Sequence, residues 1–79
     1  MNLGDFIFMT GITQRTLAKL LNCSHITVAL IKAGKQSPNL LKTAKLLYLS
    51  DNKLTMEELM TESDQEKFQE WKDELRKID

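Results

Sequence analysis

One histidine, His25, and one cysteine, Cys23, are all that this 79-residue chain offers of the side chains that most often hold metals or attack substrates. A structural zinc site takes four such ligands and a redox pair takes Cys-x-x-Cys, so neither a metal nor a disulfide is expected. No serine or carboxylate pattern completes a nucleophile–base set around His25, and no glycine-rich loop could cradle a phosphate. The chain therefore reads as a non-enzyme without cofactor or metal. His25 reads as a solvated or capping side chain, and Cys23 as a small buried hydrophobe with no activating neighbour. The four methionines are scattered and read as core filler.

The chemistry that remains is that of charge. Eleven bases balance eleven acids, but unevenly along the chain. Residues 1–55 hold seven bases (Arg15, Lys19, Lys32, Lys35, Lys42, Lys45, Lys53) against two acids, and residues 56–79 hold four bases against nine acids. A basic body with an acidic tail suits a body that meets a polyanion and a tail held away from it.

These side chains must be placed by helices. Glycine and proline are scarce and no stretch alternates as a strand would. The fold class expected is all-α, a compact domain of about five short helices with a C-terminal amphipathic helix. Hydroxyl residues that can accept from a first-turn N–H mark the starts: Thr13, Ser24, Ser37, Thr55 and Ser63. Thr55 with Glu58 and Ser63 with Glu66 have capping-box spacing, and Pro38 follows Ser37 where a helix tolerates it. Helices are expected over residues 3–9, 14–21, 25–33, 38–49, 56–60 and 64–78. In the fourth, Leu40, Leu41, Ala44, Leu47 and Tyr48 share one face, which predicts core. The chain divides into residues 1–60 and a C-terminal helix in 61–79. Unbroken apolar runs such as Phe6–Met9 and Leu46–Leu49 stop at four residues, far short of the roughly 20 of a membrane span or the 7 or more of a signal-peptide core, so a cytoplasmic protein is expected.

From Gln14 to Gly34 the chain reads QRTLAKLLNCSHITVALIKAG. Leu17, Ala18 and Leu21 form one stripe, Val28 and Ile31 another, and Cys23 fills the corner between them. Ala18 is small where a second helix approaches, and Asn22 stands at a turn that asks for positive φ. Two short helices joined this tightly make a helix-turn-helix.

This segment resembles the helix-turn-helix of phage Cro and repressor proteins, within the wider Cro/repressor-type (XRE-like) family of bacterial regulators. Gln14, the Leu17-Ala18 pair, Leu21, Asn22-Cys23-Ser24, Val28 and Ile31 carry the resemblance. The later runs KAGKQSP (Lys32–Pro38) and KLTMEEL (Lys53–Leu59) also look like Cro-like prophage regulators, so that it covers Asp5 to Met60. It implies a regulator of transcription whose partner is a double-stranded DNA operator and whose mechanism is promoter occlusion. It also implies that His25, Ile26, Thr27, Ala29 and Leu30 face the bases of the major groove. Gln14, Lys35, Gln36 and Ser37 would meet phosphates, with Arg15, Lys19 and Lys32, and some of Lys42 and Lys45, adding charge along the backbone path.

The sequence departs from the family on the outer face of the second helix, where Ile26, Ala29, Leu30 and Ala33 are apolar. Such side chains can contact thymine methyl groups, and they would equally suit a protein partner, as in an antitoxin or anti-repressor. Near the C-terminus Phe68, Trp71, Leu75 and Ile78 form a short heptad seam that could dock back on the domain or pair two subunits. A homodimer is the expected state, because operators of such regulators are two half-sites. No small-molecule ligand is expected.

Overall fold

Six short helices start where the chain supplies a side-chain acceptor for an orphan backbone N–H. In the computed structural model, which describes residues 1–78, these residues form α1 (Leu3–Thr10), α2 (Gln14–Leu21), α3 (His25–Lys32), α4 (Leu40–Leu49), α5 (Met56–Leu59) and α6 (Glu62–Leu75), with no strand. The fold is all-α. Each N-cap is Asn, Thr or Ser in extended conformation: Asn2, Thr13, Ser24, Asn39, Thr55 and Thr61.

α1 starts at Leu3 as the sequence predicts, with a cap not read from it, while the starts of α4 and α6 differ from those predicted. At α1, Asn2 and Asp5 form a reciprocal capping box. At α4 the cap is Asn39 rather than Ser37, and Pro38 lies outside the helix. At α6 Thr61 caps by accepting from the Asp64 N–H at 3.2 Å, so the helix begins before Ser63, and Ser63 with Glu66 is no capping box. Both hydroxyls stand in sequence contexts that could start a helix; at α4 the competing cap wins because Asp64 and the Thr61 N–H engage the Ser37 hydroxyl. Thr55 does cap α5, but Glu58 accepts from the Thr55 hydroxyl at 2.8 Å and from the Met1 ammonium at 2.8 Å.

The core draws its apolar side chains from α1 to α5 and from Leu54 in the loop before α5. Leu3 and Phe6 of α1, Leu17, Ala18 and Leu21 of α2, and Val28 and Ile31 of α3 close around Leu46 of α4, Leu54 and Leu59. Cys23 is half-buried at its edge. Polar groups that enter the core are paired. The Thr43 hydroxyl donates to the Asn39 carbonyl at 2.8 Å, while Ser50 Oγ donates to the Leu47 carbonyl and accepts from the Leu54 N–H.

The face of α4 expected to be core is instead its outer face. Leu40 is 85% exposed and Tyr48 87%, with Leu41 and Ala44 exposed as well; only Leu47 of that set packs against the core. The inward stripe is buried Thr43 and Leu46 with half-buried Leu47, continued by buried Ser50 at the C-cap. Both stripes have helical spacing, and Thr43 and Ser50 hide the true one because their hydroxyls bond back to the backbone. The methionines are not uniformly core filler either: Met9 and Met56 are exposed.

Candidate nucleic-acid interface

The turn between α2 and α3 sets the geometry of the candidate site. Asn22 adopts φ 57°, ψ 50°, its N–H donating to the Lys19 carbonyl at 3.2 Å, and the Cys23 N–H donates to the Ala18 carbonyl at 2.9 Å. That double bond is a Schellman closure, which stops α2 within one residue. Ser24 then caps α3, accepting from the Thr27 N–H at 3.1 Å. With Leu17, Ala18, Leu21, Val28 and Ile31 all buried in the core, α2 and α3 pack directly against each other.

The far end of α3 closes the same way. Gly34 takes φ 74°, a region costly for side chains with a Cβ, and its N–H and that of Lys35 return to the carbonyls of Ile31 and Leu30. The chain reverses there, leaving Lys35 and Gln36 exposed in the following loop.

The burial of Val28 and Ile31 turns the opposite face of α3 outward. His25 is exposed and Ile26 is 60% exposed, while Thr27, Ala29 and Leu30 are half-buried. The Thr27 hydroxyl lies 3.1 Å from Ser24 Oγ, so the cap already uses part of its hydrogen-bonding capacity. Ala33 is exposed at the helix end.

Cations frame this face at both ends. Arg15 and Lys19, one turn apart on α2, line a shallow cleft of about 300 Å³ with Ala18, Cys23, Ser24 and His25. At the other end Lys32 Nζ donates to Gln14 Oε1 at 3.4 Å, tying the last turn of α3 to the first residue of α2. This link joins two residues expected to meet phosphates, and neither spacing nor residue type signals it. Lys42 and Lys45 lie on α4 beside its exposed apolar face and are half-buried.

Ser37 stands apart from the other phosphate-contact candidates. It is half-buried, its hydroxyl donating to Asp64 Oδ2 at 2.5 Å and accepting from the Thr61 N–H at 2.9 Å. Its role in this structure is to fasten the loop after α3 to the start of α6. The seam of α6 is likewise divided. Phe68 is half-buried and lines a groove with Pro38, Leu40, Thr43, Met56 and Met60, whereas Trp71, Leu75 and Ile78 are exposed. In the sequence Met56 and Met60 read as scattered core filler and carry no signal for that groove.

Among the described residues no group of His, Cys, Asp and Glu could hold a metal ion, and no helix is long and apolar enough to cross a membrane. No protein-family model matches the chain, and comparison with curated proteins and with solved structures likewise finds no match.

Proposed function

We propose that the chain is a sequence-specific double-stranded-DNA-binding regulator of transcription, a Cro-like repressor of the kind a prophage carries, acting in the cytoplasm as a dimer that occludes a promoter. One observation carries the reading: the outward face of α3, fixed at both ends by Schellman turns, is bracketed by Arg15 and Lys19 on one side and by Lys32 and Lys35 on the other. An eight-residue helix is about 12 Å long, commensurate with a major groove about 12 Å wide. The cations and the Gln14 amide suit phosphates on either side of the groove, and His25, Ile26, Thr27, Ala29 and Leu30 are the side chains that would meet base edges. Apolar Ile26 and Leu30 favour thymine methyl groups, so an A·T-containing half-site is expected.

Titration of the chain by fluorescence anisotropy against a pool of random duplexes at low and physiological salt tests this, with selection of the tightest binders. Affinity that falls steeply with salt, and a recovered pair of half-sites about 10 bp apart, would be the expected result. Absence of binding even at about 50 mM salt would overturn it.

The exposure of Ile26 at 60% favours a second reading, in which the same face of α3 grips a protein, as in an antitoxin or anti-repressor. A partner that binds this face and competes with duplex DNA would make both readings true of one surface.

A further inference from the structure

The C-terminal helix is held along one stripe and bare beyond it. Asp64, Phe68 and Lys72, spaced by four, tie α6 to the body. Asp64 bonds Ser37, Phe68 sits in the groove, and Lys72 Nζ pairs with Glu57 at 3.3 Å and lies 4.6 Å from the centre of the Phe68 ring. Trp71, Leu75 and Ile78 are 54%, 46% and 73% exposed, and no residue of α6 is buried. The chain is correspondingly elongated, 46 × 23 × 20 Å, with a radius of gyration of 13.7 Å where a compact chain of this length has about 12 Å.

A second bare apolar strip runs along α4, where Leu41, Ala44 and Tyr48 face outward. The two strips have opposite edges. Helical spacing puts Glu70 and Glu74 along the margin of the α6 stripe that faces away from Lys72, and Lys45 and Lys42 along the margin of the α4 strip. Among the described residues none of these four has an ion-pair partner within the chain. Both strips are exposed, so they do not cover each other within one copy.

We propose that the α6 stripe of one copy packs across the α4 strip of a second copy, and the reverse, each helix staying docked on its own body, so that two chains make the same contact twice. The chain then carries both halves of a matched surface, apolar with an acidic edge and apolar with a basic edge, as its +5 body and −5 tail require for attraction between copies. Two copies of Leu41, Tyr48, Trp71, Leu75 and Ile78 bring on the order of 1,000 Å² within reach, the scale of a specific interface. The proposal deepens the dimeric part of the function proposed above and does not depend on DNA binding.

Light scattering after size exclusion tests it with full-length chains at one concentration. Wild type should have twice the 9.1 kDa chain mass. K42E/K45E, at half-buried positions, and E70K/E74K, at exposed ones, should each fall to the monomer mass with unchanged helix content by circular dichroism. An equimolar mixture of the two variants should return to the dimer mass, because each then offers the edge the other lacks. The chain carrying all four substitutions, whose net charge is again zero, should also be dimeric, which separates a matched interface from bulk attraction between oppositely charged variants. A monomeric wild type, variants that stay dimeric, or a four-substitution chain that stays monomeric would each overturn the proposal. Anisotropy against the random duplex pool, run on the wild type, keeps the two failures apart: a monomeric wild type that binds DNA sinks the interface alone, and a dimeric wild type that binds none sinks the DNA reading alone.

Discussion

Ser37 and Asp64, 27 residues apart, are joined by a hydrogen bond of 2.5 Å from the serine hydroxyl to the carboxylate, and the same hydroxyl accepts from the Thr61 N–H at 2.9 Å. One side chain thus couples the loop that follows α3 to the start of α6. Ser37→Ala removes both bonds and leaves the half-buried Thr61 N–H without its acceptor. The expected loss is about 1–2 kcal/mol, or roughly 4–15 °C in Tm for a domain of this size. Urea unfolding of Ser37→Ala, Asp64→Asn and the double variant checks it. The double variant should lose less than the two single losses combined, because the partners share one interaction.

The two stripes of α4 make opposite predictions. Leu46 is fully buried, so Leu46→Ala should cost about 2–5 kcal/mol through lost burial and the cavity it leaves. Leu40→Ala, at a position 85% exposed, should stay within about 0.5 kcal/mol. Denaturation of both variants at low protein concentration decides it, and equal costs would mean that the outer stripe is covered within one chain.

Asn22 holds a left-handed turn at φ 57°. Asn22→Ala should destabilise by about 1 kcal/mol because its Cβ is disfavoured there without the local bonding an amide allows. Asn22→Gly should be neutral or mildly stabilising. Thermal melts of the pair distinguish backbone strain from loss of a side-chain contact, since both variants delete the amide.

The candidate interface separates affinity from sequence choice. Lys35→Ala should weaken binding to all duplexes alike and lower the salt slope by about one ion. Leu30→Lys or His25→Ala should change which duplex is preferred, with Leu30→Lys costing about 1–3 kcal/mol on the preferred site. Anisotropy on selected and scrambled duplexes at several salt concentrations reads both effects. Loss of a protein partner with DNA binding intact in Leu30→Lys would favour the protein-binding reading.

Acid should weaken the contact between the N-terminus and α5. The Met1 ammonium at 2.8 Å, and after it the Thr55 hydroxyl, hold the Glu58 carboxyl below its ordinary value of 4.5. A carboxyl lowered on folding contributes fully above that ordinary value and loses its contribution as pH falls through the lowered one. Glu58→Gln should therefore be less stable than wild type at neutral pH, and the gap should narrow as pH falls below 4.5 and close once the lowered carboxyl is protonated. The pair is partly exposed, so the difference should be under about 1 kcal/mol and shrink with salt. Urea midpoints across the pH range check it.

Local signals in the sequence determined the all-α class, the extent of α2, the start of α3, the left-handed turn at Asn22 and the inward stripes Leu17, Ala18, Leu21, Val28 and Ile31. Each follows from interactions within a few residues: a hydroxyl reaching an N–H three positions on, an asparagine that tolerates positive φ, or apolar side chains one turn apart. Tertiary structure decided the rest. Helical spacing in α4 offered two stripes, and contact with α2 and α5 selected Thr43, Leu46, Leu47 and Ser50 over the more apolar Leu40, Leu41, Ala44 and Tyr48. Ser37 had the look of a helix cap and a phosphate ligand, but a carboxylate and an N–H distant in sequence engage it, and no local pattern encodes a partner 27 residues away. The C-terminal seam was visible as a period, while its division into a docked Phe68 and a bare Trp71, Leu75 and Ile78 depends on where the groove between α4 and α5 ends. Periodicity reports that a face is apolar; only the packed chain shows what, if anything, covers it.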